Sequence, residues 1–195
     1  MGIKPPVKFL WREERPRDWK HALGIFWDDD IFQANPSSVR FMREPNAGGL
    51  ILATDFRISE RLFDPKTWKI VERGRQEDGN RRQVIQFHES PDFYFGVTIH
   101  LSGGTWSSWP PHAFEVEALA APTPLYPDFY EEFALFTRPA GGWGIFCTSR
   151  NYEVLAFRDA TILRVPLGGH PVVAGPGYRL IYFWVYTGAP AKDYG

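Results

Sequence analysis

Three separated stretches carry side chains able to hold a metal ion or move a proton. They are His112 in "WSSWPPHAFE", the paired carboxylates Glu131 and Glu132 in "YEEFALF", and His170 in "VPLGGHPVV". Taken singly each has an ordinary structural role: a histidine on a strand is commonly a hydrogen-bonded core residue, and a strand glutamate commonly faces solvent. Together they are two imidazoles and a carboxylate from separate strands, enough to form a facial set that binds Fe(II), Mn(II) or Zn(II) and leaves positions open. One of the two acids, flanked by aromatics, must be compensated, because an unpaired carboxylate is costly to bury. The two glycines ahead of His170 allow a tight turn that aims that ring.

Residues two apart on a strand share a face, so His112 and Phe114 point the same way and Glu115 the other. By the same alternation His100 shares a face with Thr98, the more polar side of "DFYFGVTIHL". Trp109, three residues before His112 in a proline-stiffened loop, is the aromatic best placed to line a pocket, with Phe114, His100 and Tyr182 as further pocket candidates. Most of the other aromatics, Trp106, Tyr126, Tyr130, Trp143 and Trp184, are explained by packing. The segment "ALAAPTPLYPDFY" is either a lid or a packed surface loop.

The elements that must position these residues read as β-strands. From Gln83 onward, short runs rich in β-branched and aromatic residues alternate with turn residues: "RQVIQFH", "DFYFGVTIHL", "HAFEVEAL", "YEEFALFTR", "GWGIFCTS", "EVLAFR", "ATILRV" and "YRLIYFWVYTG". Glycine and proline clusters between them end each strand. Such a series implies an all-β jelly roll or closed barrel over residues 81–190. Residues 1–80 form an irregular extension packed on it, with one convincing strand in "GGLILATDFRI", a hairpin around "EDGN" and a short helix after Arg17 in "RPRDWKHALGIFW". Strands apolar on both faces, "LIYFWVY" above all, call for a covering layer or a second subunit, and so for a homo-oligomer.

Composition narrows the classes. The 195 residues are 44% hydrophobic, enough for one cooperative core. Lys and Arg number 22 against 23 Asp and Glu, so no global field draws nucleic acid or an anionic membrane. The single cysteine, Cys147, forms no internal disulfide, and the opening "MGIKPPVKF" is neither a signal peptide nor a membrane span, so a cytoplasmic protein is expected.

The runs "GTWSSWPPH" and "VPLGGHPVVAGPGYRLIYFWVYTG", with "VERGRQEDGNRRQV" upstream, resemble the 5-deoxy-glucuronate isomerases of inositol catabolism. Those enzymes belong with the 5-keto-4-deoxyuronate isomerases in one cupin family. The resemblance spans roughly Lys69 to Gly188, and family members are usually longer, two-cupin chains. It implies a cupin fold, the double-stranded β-helix, with a remnant or remodelled first cupin in the extension. It also implies a metal held by a His-x-His pair, a glutamate and a third histidine. Carried over, the metal set is His112, Glu132 and His170, while Phe114 stands where the second histidine of the pair would be. A phenyl ring cannot ligate, so three protein ligands remain at most, with Glu131 facing away. Glu115 or Glu117 through a shifted register, or His100 from the preceding strand, are conceivable substitutes.

The implied activity is a metal-assisted aldose–ketose isomerisation of a deoxyuronate-like sugar acid. It needs a base for the proton beside the carbonyl and a Lewis acid, Zn, Mn or Fe, for the enediolate. The base is open among a glutamate of "EVE" or "YEE", His100 and a metal-bound hydroxide. The loss at Phe114 raises two alternatives: a non-haem iron oxygenase of the cupin type, and a metal-free sugar-binding or assembly protein derived from the isomerases.

Overall fold

The computed structural model describes residues 8–11, 21–26, 39–43, 50–54, 60–91, 93–108, 120–122, 125–126, 129–148, 153–165 and 170–188. The chain builds β1 (Lys8–Trp11), β2 (His21–Phe26), β3 (Val39–Arg43) and β4 (Leu50–Thr54), then two 3-10 turns (Glu60–Phe63 and Pro65–Thr67). There follow β5 (Lys69–Arg73), β6 (Arg82–Glu89), β7 (Tyr94–His100), β8 (Trp106–Ser107) and β9 (Tyr130–Arg138). The last strands are β10 (Trp143–Cys147), β11 (Val154–Arg158), β12 (Thr161–Val165), β13 (Val172–Ala174) and β14 (Arg179–Thr187).

Among the described residues every strand pairing is antiparallel, in three sheets. A six-stranded sheet runs β12-β9-β14-β7-β6-β5, a four-stranded sheet β11-β10-β13-β8 faces it, and the first four strands form a third sheet in the order β1-β2-β4-β3. From β7 onward the chain passes back and forth between the two facing sheets, only β10 and β11 staying together, as in a double-stranded β-helix. The fold is all-β and cupin-like, as the strand spacing and the resemblance implied.

Two apolar layers sandwich the six-stranded sheet. Phe133, Leu135, Tyr182, Trp184 and Tyr186 on its inner face meet Phe146, Phe157, Val172 and Ala174 of the four-stranded sheet. On its outer face Phe95, Val97, Ala134, Phe136, Phe183 and Val185 pack with Leu62 and Trp68. The Trp68 indole N–H donates to the Leu62 carbonyl at 2.9 Å, fixing that cover. Strand β3 also lies against β9 and β14. The covering layer that "LIYFWVY" demanded therefore comes from this chain itself.

One expectation is corrected. The helix foreseen after Arg17 is strand β2, His21–Phe26, whose mixed apolar spacing serves pairing with β1 and β4 on either side. Strand β5, ahead of the boundary foreseen at residue 80, is the edge of the six-stranded sheet, joined to β6 through the "EDGN" turn. A bulge at Phe87 shifts the β6 register between Gln86 and His88. It turns His88 to the outer face, where its ring stacks on Phe93 at 4.3 Å.

Gly96 is required by this packing. It pairs with Trp184, whose ring lies directly over it, and a β-carbon there would run into that ring and the Ile85 carbonyl. Gly96→Val should cost about 1–3 kcal/mol or more by overpacking, read as a lower urea midpoint, whereas substitution at Gly79, where an added β-carbon meets nothing within 4 Å, should not act through a clash.

Candidate functional site

The inner face of the six-stranded sheet carries the polar groups of interest. Strand β9 is buried on both faces, and alternation assigns Glu131, Phe133 and Leu135 to the interior, Glu132, Ala134 and Phe136 to the outer layer. The two acids therefore have different neighbours.

Glu131, 1% exposed, lies beside His170, 2% exposed, with Oε2 and Nδ1 3.5 Å apart. The His170 ring meets Phe133 edge-on, centroids 4.9 Å apart at 85°. His170 stands just ahead of β13, and that turn is tied to β10 by the Cys147 amide donating to the Pro171 carbonyl at 2.8 Å. Across the sheet Tyr186 pairs with Glu131 and stacks on Tyr94 at 4.7 Å, nearly parallel at 8°. Burial first, then Tyr94 and Glu131, push the Tyr186 hydroxyl far above its ordinary range, so it stays a neutral donor.

Glu132 is compensated on the other face, where it accepts a hydrogen bond from the Tyr130 hydroxyl at 2.9 Å. Arg164, its partner on β12, lies over the Tyr130 ring at 5.1 Å. The expected parity of the two acids is thus inverted: it is Glu131 that shares a space with His170. The inversion has a simple cause, since a strand apolar on both sides offers no polar–apolar alternation to tell inside from outside.

His112, with Trp109, Phe114, Glu115 and Glu117, lies outside the described residues. Among the described residues no group of three His, Cys, Asp or Glu side chains comes together at metal-binding separation. His170 and Glu131 supply two donors of suitable chemistry, a buried imidazole and a buried carboxylate from different elements.

His100 and Tyr182 both face the interior between the two sheets. Their rings meet edge-on at 6.2 Å, and Tyr182 in turn lies 4.7 Å from Phe133. The Tyr182 hydroxyl is 2.9 Å from Ser107 Oγ and 3.4 Å from Ser108 Oγ. Trp106 and Trp143 are instead largely exposed, at 40% and 47%. Thr105, Ser107 and Ser108 escaped the sequence reading because a two-residue strand leaves no periodic trace.

Burial, only partly opposed by a hydrogen bond the ring donates to the Thr105 backbone and reinforced by the Arg82 charge, lowers the His100 pKa from 6.5 to about 4. The folded ring is neutral. Between those two values the unfolded chain takes up a proton that the fold refuses, so this group's contribution to stability is full above about 6.5 and falls as pH drops toward 4. The loss reaches about 3 kcal/mol at most. Urea unfolding at pH 7 and pH 4.5 should show a steeper acid loss for the parent than for His100→Gln.

Similarity to known proteins agrees with this architecture. Residues 52–194 match the model of the KduI/IolB family. The 5-deoxy-glucuronate isomerase of Bacillus licheniformis is 24% identical over 181 residues, covering 84% of this chain and 65% of the relative. That of Lacticaseibacillus casei is 31% identical over 159 residues, covering 75% and 56%. The chain thus spans less than two thirds of the length of these relatives. An IolB-like protein from Salmonella typhimurium superposes with a TM-score of 0.57 at 22% identity, over 74% of this chain and 56% of that one. With the family match running from β4 through β14 and taking in both Glu131 and His170, the chain belongs to the KduI/IolB family.

Proposed function

We propose that this chain is a metal-assisted aldose–ketose isomerase for a deoxyuronate-like sugar acid, working in the space between the two facing sheets. The observation that carries the reading is the buried Glu131–His170 pair, 3.5 Å apart, on the inner face of a barrel whose relatives are named 5-deoxy-glucuronate isomerases. In this reading the metal-ligand set implied by the resemblance, His112, Glu132 and His170, takes Glu131 in place of Glu132, a change supported by the position of Glu131 beside His170. A Zn, Mn or Fe ion held there would act as a Lewis acid toward the enediolate charge.

This chain's own groups supply the rest. Phe133 and the Pro171 turn hold the His170 ring in one orientation. The wall of Tyr94, Tyr186 and Trp184 surrounds the acid with apolar surface, which strengthens any charge interaction inside it. Tyr182 with Ser107 and Ser108 offers hydroxyls to a polyol. The chain ahead of β5, Leu62 and Trp68 included, serves in this reading as the extension that covers the outer face.

The test is incubation of the metal-loaded chain with 5-deoxy-glucuronate, followed by proton NMR. Conversion to the ketose, abolished by a chelator, is the expected result. Absence of ketose with zinc, manganese and iron alike would refute the reading. Dioxygen uptake by the iron form would then indicate an oxygenase, and sugar binding without turnover a binding module. Among the described residues no helix is long and apolar enough to cross a membrane.

A further inference from the structure

His100 is 1% exposed, and among the described residues its Nε2 finds no hydrogen-bond partner. The opposite nitrogen, Nδ1, is 3.0 Å from Thr105 Oγ1, and the same Oγ1 is 3.0 Å from the Ser102 carbonyl. A hydroxyl has one proton, and a carbonyl can only accept. The Thr105 proton therefore goes to Ser102, Oγ1 is left as an acceptor, and Nδ1 must donate to it. That assignment fixes the tautomer: the proton sits on Nδ1, and Nε2 presents a bare lone pair on the side away from the 102–105 turn.

Its surroundings are those of a subsite. His100 shares the inner face with Tyr182, whose hydroxyl gathers Ser107 and Ser108. Ser108 holds a positive φ of 59°, a conformation unfavourable for a residue with a β-carbon and found where the surrounding structure imposes it. The strip is separated from His170 by two rings in series, Tyr182 and Phe133, with centroid steps of 6.2, 4.7 and 4.9 Å. A buried acceptor with no donor is costly, and a ligand hydroxyl placed against it recovers that cost.

We propose that Nε2 of His100 accepts a hydrogen bond from a sugar hydroxyl at a second position of the barrel, apart from the Glu131–His170 pair. The proposal rests on the reading of the barrel interior as a sugar site and adds the group that orients the sugar's remote end. An accepting role fits better than that of the base, because a proton-transfer group works best with a pKa near the working pH, and this ring's is far below it. Thr105 is then a positioning residue, acting only through the tautomer it imposes.

Isothermal titration of the intact chain with D-glucuronate, a polyhydroxy sugar acid, tests this. His100→Leu should weaken binding about tenfold or more, equivalent to about 1.4 kcal/mol. His100→Gln, which keeps an acceptor but cannot titrate, should retain most of the affinity. Thr105→Val should weaken binding with the imidazole still in place. Nitrogen-15 NMR of histidine-labelled protein should show Nε2 unprotonated and moving on ligand addition, a readout independent of whether His100→Leu folds. A proton found on Nε2, or parental affinity in folded His100→Leu, overturns the proposal. Parent protein that binds no glucuronate overturns the sugar-site reading along with it. Parent that binds but does not isomerise, with affinity lost in His100→Leu, leaves this inference standing while the isomerase reading falls.

Discussion

Glu131→Gln should abolish divalent-metal binding and turnover, while Glu132→Gln should leave both within a few fold of the parent. The adjacent acids have the same chemistry and nearly equal burial, 1% and 3% exposed, yet they occupy opposite faces of β9. Loss of a group that merely orients a metal ligand costs about 10–100-fold in affinity or activity. Loss of a ligand from a set of at most three should exceed that. Glu132→Gln keeps an acceptor for the Tyr130 hydroxyl, so its effect should be confined to stability, on the order of 1 kcal/mol. Metal titration by calorimetry and a steady-state assay on both variants check the pair.

Tyr186→Ala should be among the most destabilising single changes, about 3–5 kcal/mol. The ring is fully buried, stacks on Tyr94 at 4.7 Å and lies 5.9 Å from Trp184, so truncation opens a cavity in the middle of the inner layer. Tyr186→Phe, which keeps the ring and loses only the hydroxyl, should cost far less. Urea denaturation of the three proteins measures both values.

Much of the barrel was legible in the sequence because its long strands are bounded by glycine and proline and rich in β-branched and aromatic residues. Strands β6, β7, β9, β10, β11, β12 and β14 all fall within the runs read from residue types. Strands β8 and β13 have two and three residues, too short to leave a period. They nevertheless carry Ser107 and the exit of the His170 turn. Strand β2 was mistaken for a helix because a short apolar run fits either period.

The candidate residues were legible by type rather than by direction. His170 lies beside Glu131 of the "EE" pair, and His100 shares the inner face with Thr98. The choice between Glu131 and Glu132 failed because the outer layer, built partly by Leu62 and Trp68, makes both faces of β9 apolar. That cover comes from a distant part of the sequence and has no local signature in "YEEFALF". The doubly apolar β14 called for a covering layer or a second subunit, and a layer of this chain lies against it.

The account turns on where a metal sits. Crystals of the chain grown with Mn(II) and measured at the manganese absorption edge give that position without reference to any assay. The account predicts an anomalous peak on the inner face of the six-stranded sheet, bonded to His170 and Glu131. A peak bonded to Glu132 on the outer face, or a manganese-saturated protein with no peak between the sheets, would contradict it.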